Sequence, residues 1–376
     1  MFNGANNFNG YLDDMAVFTK ALSATEVMGL YTGGQDLRFS SDSAGSTQLA
    51  HEVVNWDIVN DKAEVWVKIP TLSYTADTEL YVWYDNTTAT PYARDATYGS
   101  ENVWSSGYQG VWHFQNNSSD STSNGFNGTD TSVSYTTDHI GKALSFDAVT
   151  DNVSIGDYSA LKPAQALTVS AWMKTSSFSA GYDIILTKRR NYGSSPYNSY
   201  ILDFYQGKAG FQTSANSADV GNRTASALST NTRHFLVGKY DGSYNYLYVD
   251  GGSPITTSQG GNINYGTIPL TFGYYYSGGG SASLIGTIDE IHISNVARTE
   301  GWITTEYNNQ SNPATFATES ADTNSERSAK IHGKLTTTNE RGAKIHGKST
   351  ISDTRAAKIT GKPAEEYAND SREAKI

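Results

Sequence analysis

From Gly110 to Ile293 the chain is a succession of short alternating runs cut by turn-forming residues, a rhythm that leaves room for little but antiparallel sheet. Val111-Trp112-His113-Phe114 opens it, and Ala143-Leu144-Ser145-Phe146 and Val153-Ser154-Ile155 follow. Then come Leu167-Thr168-Val169-Ser170-Ala171-Trp172-Met173 and Tyr200-Ile201-Leu202-Asp203-Phe204. The run from His234 to Tyr240 turns at Asp241-Gly242 and returns as Tyr246-Leu247-Tyr248-Val249 before Asp250-Gly251. Aspartate followed by glycine between alternating runs is a strong hairpin signal, because both residues tolerate positive φ. The expectation is an all-β chain built on a sandwich or jelly roll. The 25 Tyr and 35 Gly supply the residues such strands and turns need. Trp112 and Trp172 read as core anchors.

The rest of the chain divides around this block. Gly10-Tyr11-Leu12-Asp13-Asp14-Met15-Ala16-Val17 aligns without a gap with Gly286-Thr287-Ile288-Asp289-Glu290-Ile291-His292-Ile293. Each then enters a helix signal, a Ser23/Glu26 capping box in the first case and Thr299 ahead of Trp302, Ile303 and Tyr307 in the second. Residues 1–35 are too few to hold a core of their own, so they are expected to be the remnant of a unit whose other strands lie upstream. Residues 36–105 are expected to form a small β-domain, in which Ala63-Glu64-Val65-Trp66-Val67-Lys68-Ile69 alternates as a strand with one buried face before Pro70. Residues 106–318 hold the sandwich. Residues 319–376 repeat Glu-Arg-x-Ala-Lys-Ile-His-Gly-Lys at arginines 327 and 341, then Thr-Arg-Ala-Ala-Lys-Ile-Thr-Gly-Lys at Arg355 and a stub at Arg372. One small apolar pair per repeat is too little to fold a single copy, so the tail is a stalk of stacked hairpins or a flexible tether, the tether being preferred.

Charge and composition exclude several roles. The formal charge is −11, and before residue 319 there are 16 basic against 29 acidic residues. Such a body is a poor partner for nucleic acid. Apolar runs fall short of the roughly 18 residues that cross a bilayer, so no membrane insertion is expected. Without cysteine there is neither disulfide nor thiolate metal site.

The landmarks Asp120 to Gly128, Ile140-Gly141-Lys142-Ala143-Leu144-Ser145-Phe146-Asp147, Val169-Ser170-Ala171-Trp172, Leu247-Tyr248-Val249-Asp250-Gly251 and Ile288-Asp289-Glu290-Ile291 resemble those of the laminin-G-like, concanavalin A-like jelly rolls. The resemblance implies an antiparallel β-sandwich over about 200 residues. Residues 1–35 look like the tail of a second copy. Asp36-Leu37-Arg38-Phe39 and Val65-Trp66-Val67-Lys68-Ile69-Pro70 resemble a microbial surface-protein domain of unknown function that often precedes such jelly rolls.

Related folds house glycoside hydrolases, whose retaining members need two carboxyls about 5 Å apart. That family supplies them as Glu-x-Asp-x-x-Glu along one strand, whereas here Asp289 and Glu290 are adjacent and are expected to point to opposite faces. No nucleophile or P-loop motif is found, and the seven scattered histidines support no metal triad. The chain therefore reads as non-enzymatic. By the resemblance, Asp120, Asp147 and Asp289 match acidic positions that hold one structural calcium ion, against the alternative that they make turn and strand-end hydrogen bonds. Tyr192 and Tyr197, which flank Gly193-Ser194-Ser195-Pro196, and Tyr275 are the candidate glycan-stacking rings, against the alternative that they pack at the sandwich rim. Lys188-Arg189-Arg190 reads as a solvated loop able to meet an acidic glycan. The preferred function is a non-catalytic carbohydrate-binding or adhesion module of a large extracellular or cell-surface microbial protein. The alternatives are an architectural spacer and an accessory module of a polysaccharide-degrading enzyme.

Overall fold

The computed structural model describes residues 34–57, 62–70, 78–83, 86, 88–215, 218–277 and 280–320, with short strands further on at 329–335, 341–344, 357–363 and 374–375. The Gly10 to Val17 segment and the Ser23 cap lie outside the described residues.

Two antiparallel sheets face each other as expected. One runs, in spatial order, Ala218–Arg223, Lys208–Ala215, Asn198–Tyr205, Tyr182–Arg189, Leu270–Phe272, Asn152–Gly156 and Thr129–Thr131. The other runs Ile255–Ser258, Tyr244–Val249, Arg233–Tyr240, Leu167–Lys174, Gly286–Ser294, Lys142–Phe146 and Ser134–Thr137, with Tyr108–Trp112 also paired to Gly286–Ser294. Trp112, Phe146, Val169, Met173, Leu202, Phe204, Phe211, Leu236, Phe272, Ile288 and Ile291 fill the space between them. Gly238 faces this layer because a Cβ there would stand 2.0 Å from Phe211, so only glycine lets the two sheets meet at that point. Both expected Asp-Gly turns form: Asp241 accepts the amides of Ser243 and Tyr244, and Asp250 and Gly251 both take positive φ.

The eight-stranded sheet is buried on its second face too. Trp172, expected as a core anchor, points there rather than between the sheets, and packs with Phe235, Val237 and Tyr248 beneath helix α1 (Glu300–Ser311). Thr299 caps α1 as expected, accepting from the Trp302 amide, which turns Trp302 and Ile303 onto the sheet.

The small unit covers a further part of that face. Arg38–Ser40, Gln48–Leu49 and Thr78–Trp83 form one sheet, and His51–Asp57 with Lys62–Ile69 forms a hairpin facing it across Phe39, Leu49, Val65, Val67, Ile69, Leu80 and Val82. The one-buried-face reading of Lys62–Ile69 needs correction. Trp66 and Glu64, on the opposite side of the strand, are also buried, because Trp66 packs with Trp104, Tyr108 and Val111 against the sandwich. The repeats of the tail add strands to this unit, Ala357–Pro363 beside Thr78–Trp83 and Arg341–Lys344 beside Lys62–Ile69.

Candidate functional site

On the seven-stranded sheet the pairing Tyr182↔Tyr205 and Ile184↔Asp203 sets these side chains on the face turned away from the core residues Leu202 and Phe204. The Tyr182 and Tyr205 rings lie 4.8 Å apart, and Tyr275 stands 6.5 Å from Tyr182. The Arg223 guanidinium lies 5.5 Å from the Tyr182 ring and 5.8 Å from that of Tyr205, held by a 2.8 Å ion pair with Asp203. Gly210 makes room for it, since a Cβ there would come within 2.6 Å of Arg223. At the other end Arg189 lies 4.4 Å from the Tyr275 ring and 5.9 Å from Tyr197. The result is a strip of rings edged by two guanidinium groups, mounted on paired strands.

Two of the three expected tyrosines, Tyr197 and Tyr275, are thus brought together through Arg189, and Tyr192 sits exposed in the same loop. The solvated-loop reading of Lys188-Arg189-Arg190 fails for its first two members. The strand continues through Arg189, burying Lys188 on Asp157 at 2.5 Å and leaving Arg189 only 4 % exposed. Arg189 donates to the Asn191 carbonyl and, at 3.4 Å, to Asn198, and its Nε has no hydrogen-bond partner. Among the described residues no carboxylate lies within ion-pair distance of it.

Burial pushes the Asp203 carboxyl up to about 6, against the pull of Arg223. A carboxyl whose folded pKa exceeds its unfolded value of 3.8 binds protons more tightly in the folded state, so stability falls as pH rises from about 4 through 6. The stability of Asp203→Asn relative to wild type is therefore expected to improve by up to about 3 kcal/mol between pH 4 and pH 7, at about 1.4 kcal/mol per pK unit. Denaturant melts of both chains at the two pH values check it; a constant difference contradicts it.

The three aspartates are dispersed. Asp120 is buried and accepts four hydrogen bonds, from the amides of Val111, Thr122 and Phe126 and from the Thr122 hydroxyl, at 2.8–3.0 Å. Asp147 is exposed, its amide donating to Asp151. Asp289 is buried and accepts from the Ile140 amide at 3.1 Å. Among the described residues the trio of His, Asp or Glu ligand atoms that does gather, within 4.8 Å, is His113, Glu290 and His292.

That trio overturns two expectations. Asp289 and Glu290 do not point to opposite faces. The register against Leu167–Lys174 slips between Ser170↔His292 and Trp172↔Asp289, and Glu290 takes φ +50°, a bulge that resets the alternation. Ile288, Ile291 and Ile293 enter the sandwich core, while Asp289, Glu290 and His292 all lie on the outer face. The histidines are not all scattered either, because His113, directly after strand Tyr108–Trp112, and His292, on the paired strand Gly286–Ser294, meet at one carboxylate. Glu290 Oε2 is 2.8 Å from His113 Nδ1 and 3.0 Å from His292 Nε2. The far nitrogens face further carboxylates, His113 Nε2 lying 3.4 Å from Glu52 and His292 Nδ1 3.0 Å from Glu306. Burial opposes charge on both rings, but the carboxylates override it, raising both imidazoles and holding Glu290 low. Trp66, Trp104 and Tyr108 enclose the chain of charges. The sequence signal is weak, one histidine on a core strand and one just past the end of its neighbour, with the bulge hidden.

Fold and sheet order define a concanavalin A-like jelly roll carrying a small β-unit on one face. Residues 147–304 match the family described as the concanavalin A-like lectin/glucanases superfamily, and residues 33–124 match a family described as a domain of unknown function. Among solved structures the chain is similar to domain 4 of AbnA, a GH43 extracellular arabinanase from Geobacillus stearothermophilus, in complex with arabinotriose. That match has 19% identity over 52% of this chain and 96% of that one, with a TM-score of 0.45. It is also similar to the binding domain of Paraclostridial Mosquitocidal Protein 1, at 12% identity over 56% and 54% of the two chains, TM-score 0.47. The receptor binding domain of botulinum neurotoxin D matches at 16% identity over 54% and 53%, TM-score 0.43. This chain spans about half the length of the last two. No curated protein matches it. Among the described residues no helix is long and apolar enough to cross a membrane.

Proposed function

We propose that the sandwich is a non-catalytic carbohydrate-binding module of a protein displayed outside the cell, and that the sugar lies on the strip formed by Tyr182, Tyr205, Tyr275 and Tyr197. The observation that carries this is the row of part-exposed rings fixed on rigid strands and edged by Arg189 and Arg223. Flat rings stack on the C–H faces of sugars, and the part-exposed Arg223 guanidinium can donate to hydroxyl and carboxylate oxygens, while the buried Arg189 supports Tyr275 from below. Strand mounting keeps the ordering cost of binding low. The outer-face acids support the absence of catalysis: Glu290 is fully buried and engaged with two imidazoles, and Asp289 is buried beside Trp172, so neither is placed to reach a glycosidic bond. This reading needs no calcium; the four protein donors on Asp120 support the turn-bonding alternative for that residue.

A panel of neutral and acidic polysaccharides tests it. Binding is expected, and Tyr275→Ala and Tyr182→Ala are each expected to weaken it about tenfold, roughly 1.4 kcal/mol per ring, with little change in melting temperature. Unaltered affinity in both variants contradicts the assignment of the face. Silence across the panel selects the architectural reading, which the apolar layer joining the two units favours, because it makes them a stiff pair.

A further inference from the structure

The buried chain between the two units has the donor set of a metal centre. We propose that His113, Glu290 and His292, all carried by the sandwich, form a structural site for one divalent transition-metal ion of the zinc class beneath the small unit, which reaches it through Glu52. Two imidazole nitrogens and a carboxylate oxygen converge within 4.8 Å, all buried. Mixed nitrogen and oxygen donors suit zinc, cobalt or nickel and not the oxygen-only shells of calcium and magnesium. A second observation points the same way. Glu290 Oε1 is fully buried and has no hydrogen-bond partner, so the residue keeps one acceptor in reserve beyond the oxygen already facing both rings. Polar atoms left like this in a closed interior are uncommon.

The outer partners fit as well. Metal-binding histidines turn the other ring nitrogen to a carboxylate, which fixes tautomer and orientation. Here Glu52 stands behind His113 and Glu306 behind His292, at 3.4 and 3.0 Å. Each is itself held: Glu52 accepts from Trp104 Nε1 and the Ser121 hydroxyl, Glu306 from the Ser170 hydroxyl. The Trp66, Trp104 and Tyr108 rings enclose the site, and Glu290 can complete a four-donor shell by offering both carboxylate oxygens. Glu52 also lines a cleft of about 420 Å³ with His51, Trp56 and Tyr92.

The test uses the full chain, stripped with chelator and titrated with zinc, and separately with cobalt. One equivalent of zinc per chain, a rise of several degrees in melting temperature and cobalt ligand-field bands of a nitrogen/oxygen site are the expected results. His113→Gln and His292→Gln are each expected to lose that equivalent. Less than a tenth of an equivalent bound by the wild-type chain, with no thermal shift in excess zinc, overturns the proposal and leaves the layer held by protons alone. Metal kept at full stoichiometry by both variants also overturns it, placing the ion elsewhere, for instance on His332 and His346 of the repeats. Should either variant fail to fold, the wild-type stoichiometry and cobalt spectrum decide by themselves.

Discussion

Trp104→Ala is expected to cost about 3–5 kcal/mol, as large a penalty as emptying the middle of a globular core. Trp104 belongs to the link between the units, yet it is 1 % exposed. Its ring contacts those of Trp66, Tyr108, His113 and His292 at 5.1–5.3 Å. Its Nε1 donates to Glu52, so truncation also strips a buried carboxylate of a donor. In a domain of this size a loss of that magnitude lowers the melting temperature by roughly 6–20 °C. The small unit and the sandwich share this layer and are expected to melt together, in the wild type and in the variant. Calorimetry checks both points. A drop under 1 kcal/mol, or two resolved transitions in the wild type, shows that the units only touch.

Trp112→Ala is the matching experiment between the two sheets, with an expected cost of about 3–5 kcal/mol as well. Trp112 has no exposed surface, meets Phe272 edge-on at 5.0 Å and donates from its indole to the Phe126 carbonyl at 3.1 Å. Removing it opens a void beside Phe114 and Phe272 and leaves that carbonyl without its donor. Similar penalties at residues 104 and 112, read from chemical denaturation, identify the inter-unit layer as a second core. A large loss at 112 beside a small one at 104 reduces it to a contact surface.

The contrast between these tryptophans shows what the sequence could reveal. Period-two alternation located the strands that bury Trp112, and the Asp241-Gly242 and Asp250-Gly251 signals located the turns that pair them. These are local properties, carried by neighbours in the chain. Alternation also assigns faces only while the pleat is regular, and at Glu290 one extra residue in a left-handed conformation brings Asp289 and Glu290 to the same side. Burial by another unit leaves no mark of its own: Glu64 and Trp66 read as an exposed face until the sandwich covers them. Lys188 and Arg189 read as loop because charge suggests solvent, whereas the strand carries them inward to Asp157 and beneath Tyr275. The tyrosine strip was half legible. Tyr197 and Tyr275 stood out by loop composition, but Tyr182 and Tyr205 join them only through cross-strand register.

The assignment of the tyrosine strip as the place where sugar lies is tested most directly by mapping amide chemical shifts of the isotope-labelled chain during titration with the tightest polysaccharide fragment from the panel. Perturbations are expected to cluster on strands Tyr182–Arg189 and Asn198–Tyr205, at Arg223 and around Tyr275. Perturbations confined to the opposite sheet, or to the turns around Asp120 and Asp147, contradict it.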